Sequence, residues 1–245
     1  MQFNPLLQEI HFLTLFPEML SPVLGASLLG KAAEKKTLVF GVHSIREHAK
    51  DKHKTADEPP YGGGEGMLLK VDVLHAAWSS VVPAKNPKTR TVLLSPQGPK
   101  FDVAKAKELA GYEKLVLVCG HYEGVDERFI ELCVDEELSI GDYVLTGGEL
   151  PALVVADSVA RWIPGVVGKE GSVSKDSLEG GLLKYPQYTR PAEFMGLKVP
   201  DVLTSGNHGL IEAWRKKQSI ERTRMKRPDL FKAYDGQATS SKEKQ

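Results

Sequence analysis

Three short apolar runs, each ending in a loop dense in glycine and polar residues, constrain this chain most. Thr91–Leu94 runs into Ser95-Pro96-Gln97-Gly98, and Leu115–Cys119 into Gly120-His121-Tyr122-Glu123-Gly124. Tyr143–Leu145 runs into Thr146-Gly147-Gly148. Runs of this kind, bounded by loops and helical patterns, predict buried parallel strands of an α/β sheet. Ligands of open α/β sheets sit outside the carboxyl ends of the strands, and glycine there lets backbone come close to a ligand or to another segment. Three such ends together predict a binding cleft without naming what fills it. Taken alone, Ser139–Pro151 reads equally well as a tight connection into a helix starting near Glu149. Pro151 then falls in the first turn, where a missing N–H costs nothing.

The remaining pattern fills out an α/β domain. Strands are expected at Ile10–Phe16 and Leu38–Val42. An amphipathic helix is expected over Glu18–Lys36, and helices over Val71–Val82, after Asp102 as N-cap, near Asp126–Cys133 and over Glu149–Trp162. From Gly165 to Pro200 periodicity fades into Gly, Ser, Pro and charge, as in a functional or linking segment. A strong helical pattern resumes over Asn207–Arg227, and the Ser/Lys/Gln-rich tail reads as disordered. The expected organisation is an α/β domain over 1–163, a flexible linker over 164–200, a basic helical domain over 201–237 and a tail over 238–245. The glycine run at 62–66 lacks a following Lys-Ser/Thr pair and is no Walker loop. It reads as a substrate-facing loop or a plain linker.

Charge adds direction. The chain has 32 basic and 32 acidic residues, yet residues 207–245 hold ten Lys/Arg against five Asp/Glu, and residues 43–55 hold four against two plus three histidines. Segregated basic patches on a neutral chain suit a polyanion held at particular places, although solvated helix faces produce single charge runs too. Two cysteines make neither a disulfide framework nor a zinc site. No apolar run approaches the ~20 residues of a membrane span, and no signal peptide is visible, so the cytoplasm is the default compartment.

Asp51-Lys52-His53 with Pro60-Tyr61-Gly62-Gly63-Gly64, Leu94–Gly98, Cys119–Arg128, Ser139–Pro151 and Tyr188-Thr189-Arg190-Pro191, in this order and spacing, resemble the bacterial tRNA (guanine-N1)-methyltransferases of the TrmD family. The similarity covers roughly residues 9–231. It implies a homodimer with a SPOUT-like trefoil knot at the end of the α/β domain, S-adenosylmethionine held in the knot, and methylation of guanosine 37 of tRNA, beside the anticodon. Knots are nearly absent from proteins, and periodicity predicts none here. By resemblance the cofactor site falls on Leu94, Ser95, Pro96, Gly120, Tyr122, Gly124, Ser139, Ile140, Gly141, Asp142, Tyr143, Val144, Leu145, Gly147 and Gly148, the same three loops picked out above.

Asp176 matches the family's general base and Arg161 a substrate-binding arginine. Guanine N1 carries a proton that a placed carboxylate can take, and a cation can stabilise the charge that then builds toward O6. Without the resemblance, Asp176 reads as a solvated cap and Arg161 as a helix C-terminal cation. Glu123 is expected to face the target base, and Asn207 and His208 to start the RNA-contacting helix. Arg215, Lys216 and Lys217 are expected on phosphates. The family admits a Mg²⁺ requirement for which no ligand set stands out, so no metal residues are assigned. The chain departs from many relatives at His121, where they carry arginine, so no fixed positive charge is carried over there. Two other readings share most of these features: a knotted methyltransferase of another RNA, and a non-enzymatic RNA-binding protein that keeps the fold.

Overall fold

The computed structural model describes residues 5–168 and 176–242, and the chain divides into two compact units, Met1–Glu170 and Gly171–Gln245. The first unit is built on β1 (Glu9–Thr14), β2 (Val39–Ser44), β5 (Thr89–Leu94), β6 (Lys114–Cys119) and β7 (Glu136–Leu138), with a small hairpin of β3 (Asp57–Glu58) and β4 (Leu68–Leu69) to one side. The five strands form one wholly parallel sheet in the order β2-β1-β6-β5-β7. Its helices are α1 (Pro17–Leu24), α2 (Ser27–Glu34), α3 (Val71–Val81), α4 (Val103–Ala110), α5 (Glu127–Cys133) and α6 (Glu149–Ala160).

Strand alternation divides the core between the two faces of the sheet. Ile10, Phe12, Val92, Leu94, Leu115, Leu117 and Cys119 join Leu109 of α4 and Val155 and Val159 of α6 on one side. Leu13, Leu93, Val116 and Val118 join Leu74 and Trp78 of α3 and Phe129 of α5 on the other. Each such side chain stabilises the fold by about 1.5–3 kcal/mol on burial. The one polar side chain turned inward on β5, Thr91, accepts a hydrogen bond from the Trp78 indole N–H at 2.9 Å. Asp102 caps α4 as expected, accepting from Lys105 N at 2.8 Å.

The structure corrects the sequence reading in several places. The single helix expected over Glu18–Lys36 is two, because the chain turns at Gly25-Ala26. Gly30 then packs against Gly25, where a Cβ would lie 2.6 Å from the Gly25 carbonyl carbon. The first strand stops at Thr14, and the second runs on to Ser44. Tyr143–Leu145 is not a strand. The fifth strand is the acidic Glu136–Leu138, whose Glu136 is paired with Arg90 at 2.8 Å and Lys105 at 2.9 Å. Burial pushes the Glu136 carboxyl up, but the two cationic donors outweigh this and hold it below the usual carboxylate range.

The second unit contains β8 (Glu193–Phe194), β9 (Leu197–Lys198), α7 (Asp201–Thr204), α8 (His208–Lys226) and α9 (Pro228–Lys242). The antiparallel pair β8–β9 falls inside the stretch expected to be structureless. It turns at Met195-Gly196, both with positive φ, the geometry that two-residue hairpin loops favour. Helix α9 runs to Lys242, where the composition predicts a disordered tail from 238. Residues 243–245 lie outside the described residues, as does most of the Ser172–Ser177 segment around the proposed base.

Candidate active site

The loops that leave β5, β6 and β7 close around a cavity of about 320 Å³. Leu94, Ser95 and Pro96 line it from the first loop, and Gly120, Tyr122, Glu123 and Gly124 from the second. Ser139, Ile140, Gly141, Tyr143, Val144, Leu145, Gly147 and Gly148 line it from the third. Asp142 does not; its exposed carboxylate pairs with Lys100. Tyr143, Val144 and Leu145 are 55%, 84% and 40% exposed, so the apolar triplet that resembles a strand is instead an apolar wall open to a ligand.

Backbone hydrogen bonds tie the three loops together. Ser95 N donates to Leu138 O at 3.0 Å, Phe101 N to Ser139 O at 2.7 Å, and Gly148 N to Gly120 O at 2.8 Å. The Ser139 hydroxyl donates to Gly141 O at 3.0 Å and accepts from Gly141 N at 3.2 Å. The second loop turns sharply, with Tyr122 at φ +59 and Gly124 at φ +118. A left-handed conformation at a tyrosine costs about 1–2 kcal/mol, a strain held at the rim of the cavity.

Beneath the loops, Glu149 begins α6 and is 1% exposed. It accepts a hydrogen bond from Thr14 Oγ1 at 2.7 Å, and the same hydroxyl accepts from Phe16 N at 2.8 Å. A buried carboxylate thus sits at the positive end of a helix, with a hydroxyl donor. The adjacent Cys119 thiol is pushed well up, first by burial and then by Glu149, so it is no thiolate nucleophile. The His121 ring packs between Phe16 and Tyr122, with ring centroids 4.9 Å away on each side. Its Nδ1 is buried without a hydrogen-bond partner.

Gly66, at the end of the glycine run 62–66, lies against the second loop. Glu123 N donates to Met67 O at 3.0 Å. A Cβ on Gly66 would lie 2.6 Å from the Glu123 Cγ, so the Glu123 side chain lies directly on the glycine loop. Asp126 caps α5 and takes a two-pronged grip from Arg128, at 2.9 and 2.7 Å. Hydrogen bonding from Arg128 holds the Asp126 carboxyl below its usual range.

Arg161 is not among the residues lining this cavity, and the remaining expected site residues belong to the second unit. Arg161 follows the last turn of α6, its N–H donating to Asp157 O at 3.3 Å. In the second unit, Asp176 pairs with Lys184 at 2.9 Å and its side chain is one-third exposed. Asn207 caps α8 by accepting from Leu210 N at 3.2 Å, and His208 is the exposed first residue of that helix. Lys216 and Lys217 are exposed along α8. Arg215 lies with its guanidinium carbon 4.9 Å from the centre of the Tyr185 ring.

Residues 8–233 match the family described as tRNA (Guanine-1)-methyltransferase TrmD. The chain belongs to the TrmD family. A tRNA (guanine-N(1)-)-methyltransferase of Bacillus subtilis is 54% identical over 224 residues, 91% of this chain and 92% of the relative. One of Bacillus velezensis is 53% identical over 226 residues, 92% and 93% of the two chains. One of Geobacter sulfurreducens is 53% identical over 223 residues, 91% of each.

Several cavity residues of this TrmD chain escape a motif reading. Gln97, Thr146 and Glu137 line the cavity, the first two inside motifs quoted for their glycines. The Thr14–Glu149 bond joins residues 135 apart in sequence, and no local pattern announces it. Among the described residues no three His, Cys, Asp or Glu side chains are grouped to hold a metal ion, and no helix is long and apolar enough to cross a membrane.

Proposed function

We propose that this protein transfers a methyl group from S-adenosylmethionine to N1 of guanosine 37 of tRNA. The observation that carries the reading is the cavity at the carboxyl ends of β5, β6 and β7, walled by glycine backbone and apolar side chains in a chain of the TrmD family. The residues suit that cofactor. At Gly120 a Cβ would meet protein atoms no nearer than 3.9 Å, so the packing of the chain does not demand glycine there, and the space is open to a ligand. Ile140, Tyr143 and Leu145 offer apolar faces to an adenosine, and the His121 ring lines the same cavity.

When bound, the cofactor supplies an electrophilic methyl group. The chain must make guanine N1 a nucleophile. Asp176, paired with Lys184 at 2.9 Å, takes the N1 proton. Arg161 stabilises the negative charge that develops toward O6 as the proton leaves. Glu123, lying on the 62–66 glycine loop, accepts from the guanine N–H edge and fixes the base's orientation. Arg215, Lys216 and Lys217 on α8 hold phosphates, and the residues of the second unit serve as the tRNA-binding domain.

The active form is a homodimer whose α/β domain ends in a trefoil knot. An apolar stripe supports the dimer that the family resemblance implies. Met19 and Val23 of α1, and Leu150 and Val154 of α6, are each spaced four apart on adjoining helices, and each is 41–52% exposed. Binding of S-adenosylmethionine by calorimetry, with reverse transcription of the treated tRNA, tests the whole reading. N1 methylation blocks base pairing, so a new stop one nucleotide before residue 37 is expected, and a full-length read after a complete reaction rejects it.

A further inference from the structure

The second unit contains a cavity of about 690 Å³ between the extended segment 185–192 and α7–α8. Its size falls in the range of ligand pockets, about 300–1,000 Å³. Its lining is unusual for a gap between helices: Tyr185, Tyr188, Arg190 and Arg215, with Gln187 and Thr189 beside them. The Arg215 guanidinium carbon lies 4.9 Å from the centre of the Tyr185 ring, and Glu212 anchors the group through Nη1 at 2.7 Å. Its Nε is nevertheless buried without a hydrogen-bond partner, an unmet donor that a small shift of the side chain toward a ligand acceptor would satisfy. Tyr188, half exposed, presents a free aromatic face.

We propose that this cavity receives one unstacked nucleotide of the single-stranded loop that carries the target guanosine, its base on Tyr188 and its phosphate on Arg190 and Arg215. Aromatic rings beside guanidinium groups are the chemistry of sequence-tolerant single-strand binding, with stacking for any base and charge for the backbone. The exocyclic groups of the base meet Gln187 and Thr189, which supply both donors and acceptors. This goes beyond holding phosphates along α8. It gives the second unit a base-stacking role and makes an opened loop a requirement of the substrate. It rests on the tRNA reading above.

The test places 2-aminopurine, whose fluorescence rises when it leaves a stack and is quenched on an aromatic ring, singly at each anticodon-loop position next to the target in an otherwise active tRNA. Wild-type protein, Tyr188→Phe and Tyr188→Ala are compared, with S-adenosylmethionine affinity as the control for folding. At one position the probe is expected to stay quenched on the ring in wild type and Tyr188→Phe and to brighten in Tyr188→Ala. In Tyr188→Ala, KM for tRNA is expected to rise about tenfold, the weight of one lost base stack, at unchanged cofactor affinity. If all three proteins methylate tRNA with the same KM and the same probe response, the cavity takes no nucleotide, while the methyltransferase reading stands. A change in sedimentation of Tyr188→Ala without a change at any probe assigns the cavity to a second copy of the chain and overturns the proposal. Failure of wild type to methylate the tRNA at all removes the tRNA reading and this one with it.

Discussion

Two glycines of the first cavity are glycine for opposite reasons. A Cβ on Gly148 would lie 2.7 Å from the Cys119 Cα and 2.9 Å from Gly120 N, whereas one on Gly120 would make only ordinary contacts. Gly148→Ala should therefore destabilise the fold by about 1–3 kcal/mol, as overpacking does, lowering Tm by several degrees. Gly120→Ala should leave Tm in place but weaken S-adenosylmethionine, because only a ligand would meet the new methyl. Calorimetric titration and thermal melts of the two variants separate these cases, and undiminished cofactor affinity in Gly120→Ala removes that residue from the contact. Asp176→Asn should keep cofactor affinity and lose about 10²–10⁴-fold in turnover, the usual weight of a general base; turnover near wild type takes the role away from Asp176. The glycines were legible in the sequence because their spacing has few other uses. The buried Glu149 was not, since its partner Thr14 sits on another element.

Among the elements, the sheet was readable because alternation and parallel strands leave a strong pattern: Leu115, Leu117 and Cys119 face one side and Val116 and Val118 the other. The misreading at Tyr143–Leu145 has a physical cause. Apolar residues that wall a ligand cavity look like strand residues, while the acidic β7 does not, because its charge is answered by Arg90 and Lys105 on distant segments. A second such pairing gives β1 and β2 a pH dependence. His11 Nδ1 lies 2.9 Å from His43 Nε2, and His11 Nε2 lies 3.0 Å from Glu9 Oε2. Gly41 makes room for the two rings, since a Cβ there would lie 2.7 Å from the His43 Nε2. Burial holds both histidines below the ordinary value of 6.5. The unfolded chain therefore binds protons more readily than the fold. Stability from the pair is present above pH 6.5 and is lost as pH falls through the lower folded values. Urea unfolding between pH 7.5 and 5 should show this acid-side loss, and His11→Gln should flatten it; an equal loss in the variant points to other groups.

For the whole molecule, balanced charge hides a directed distribution. The sequence shows the excess of cations after residue 207, and the structure sets Lys216 and Lys217 exposed on α8. Reversing both charges should weaken tRNA binding and reduce the slope of log affinity against log salt by about 1–2; an unchanged slope moves the phosphate contacts off this helix. Periodicity records which face a residue takes, not the order in which loops pass one another, so the proposed knot has no signature in it. The central claim is the pairing of one cofactor with one base. Its most direct test is transfer of labelled methyl from S-adenosylmethionine to two tRNA transcripts that differ only at residue 37, guanosine or adenosine. Label is expected in the guanosine transcript alone, on N1, whereas equal label in both, or none in either with cofactor bound, rules the pairing out.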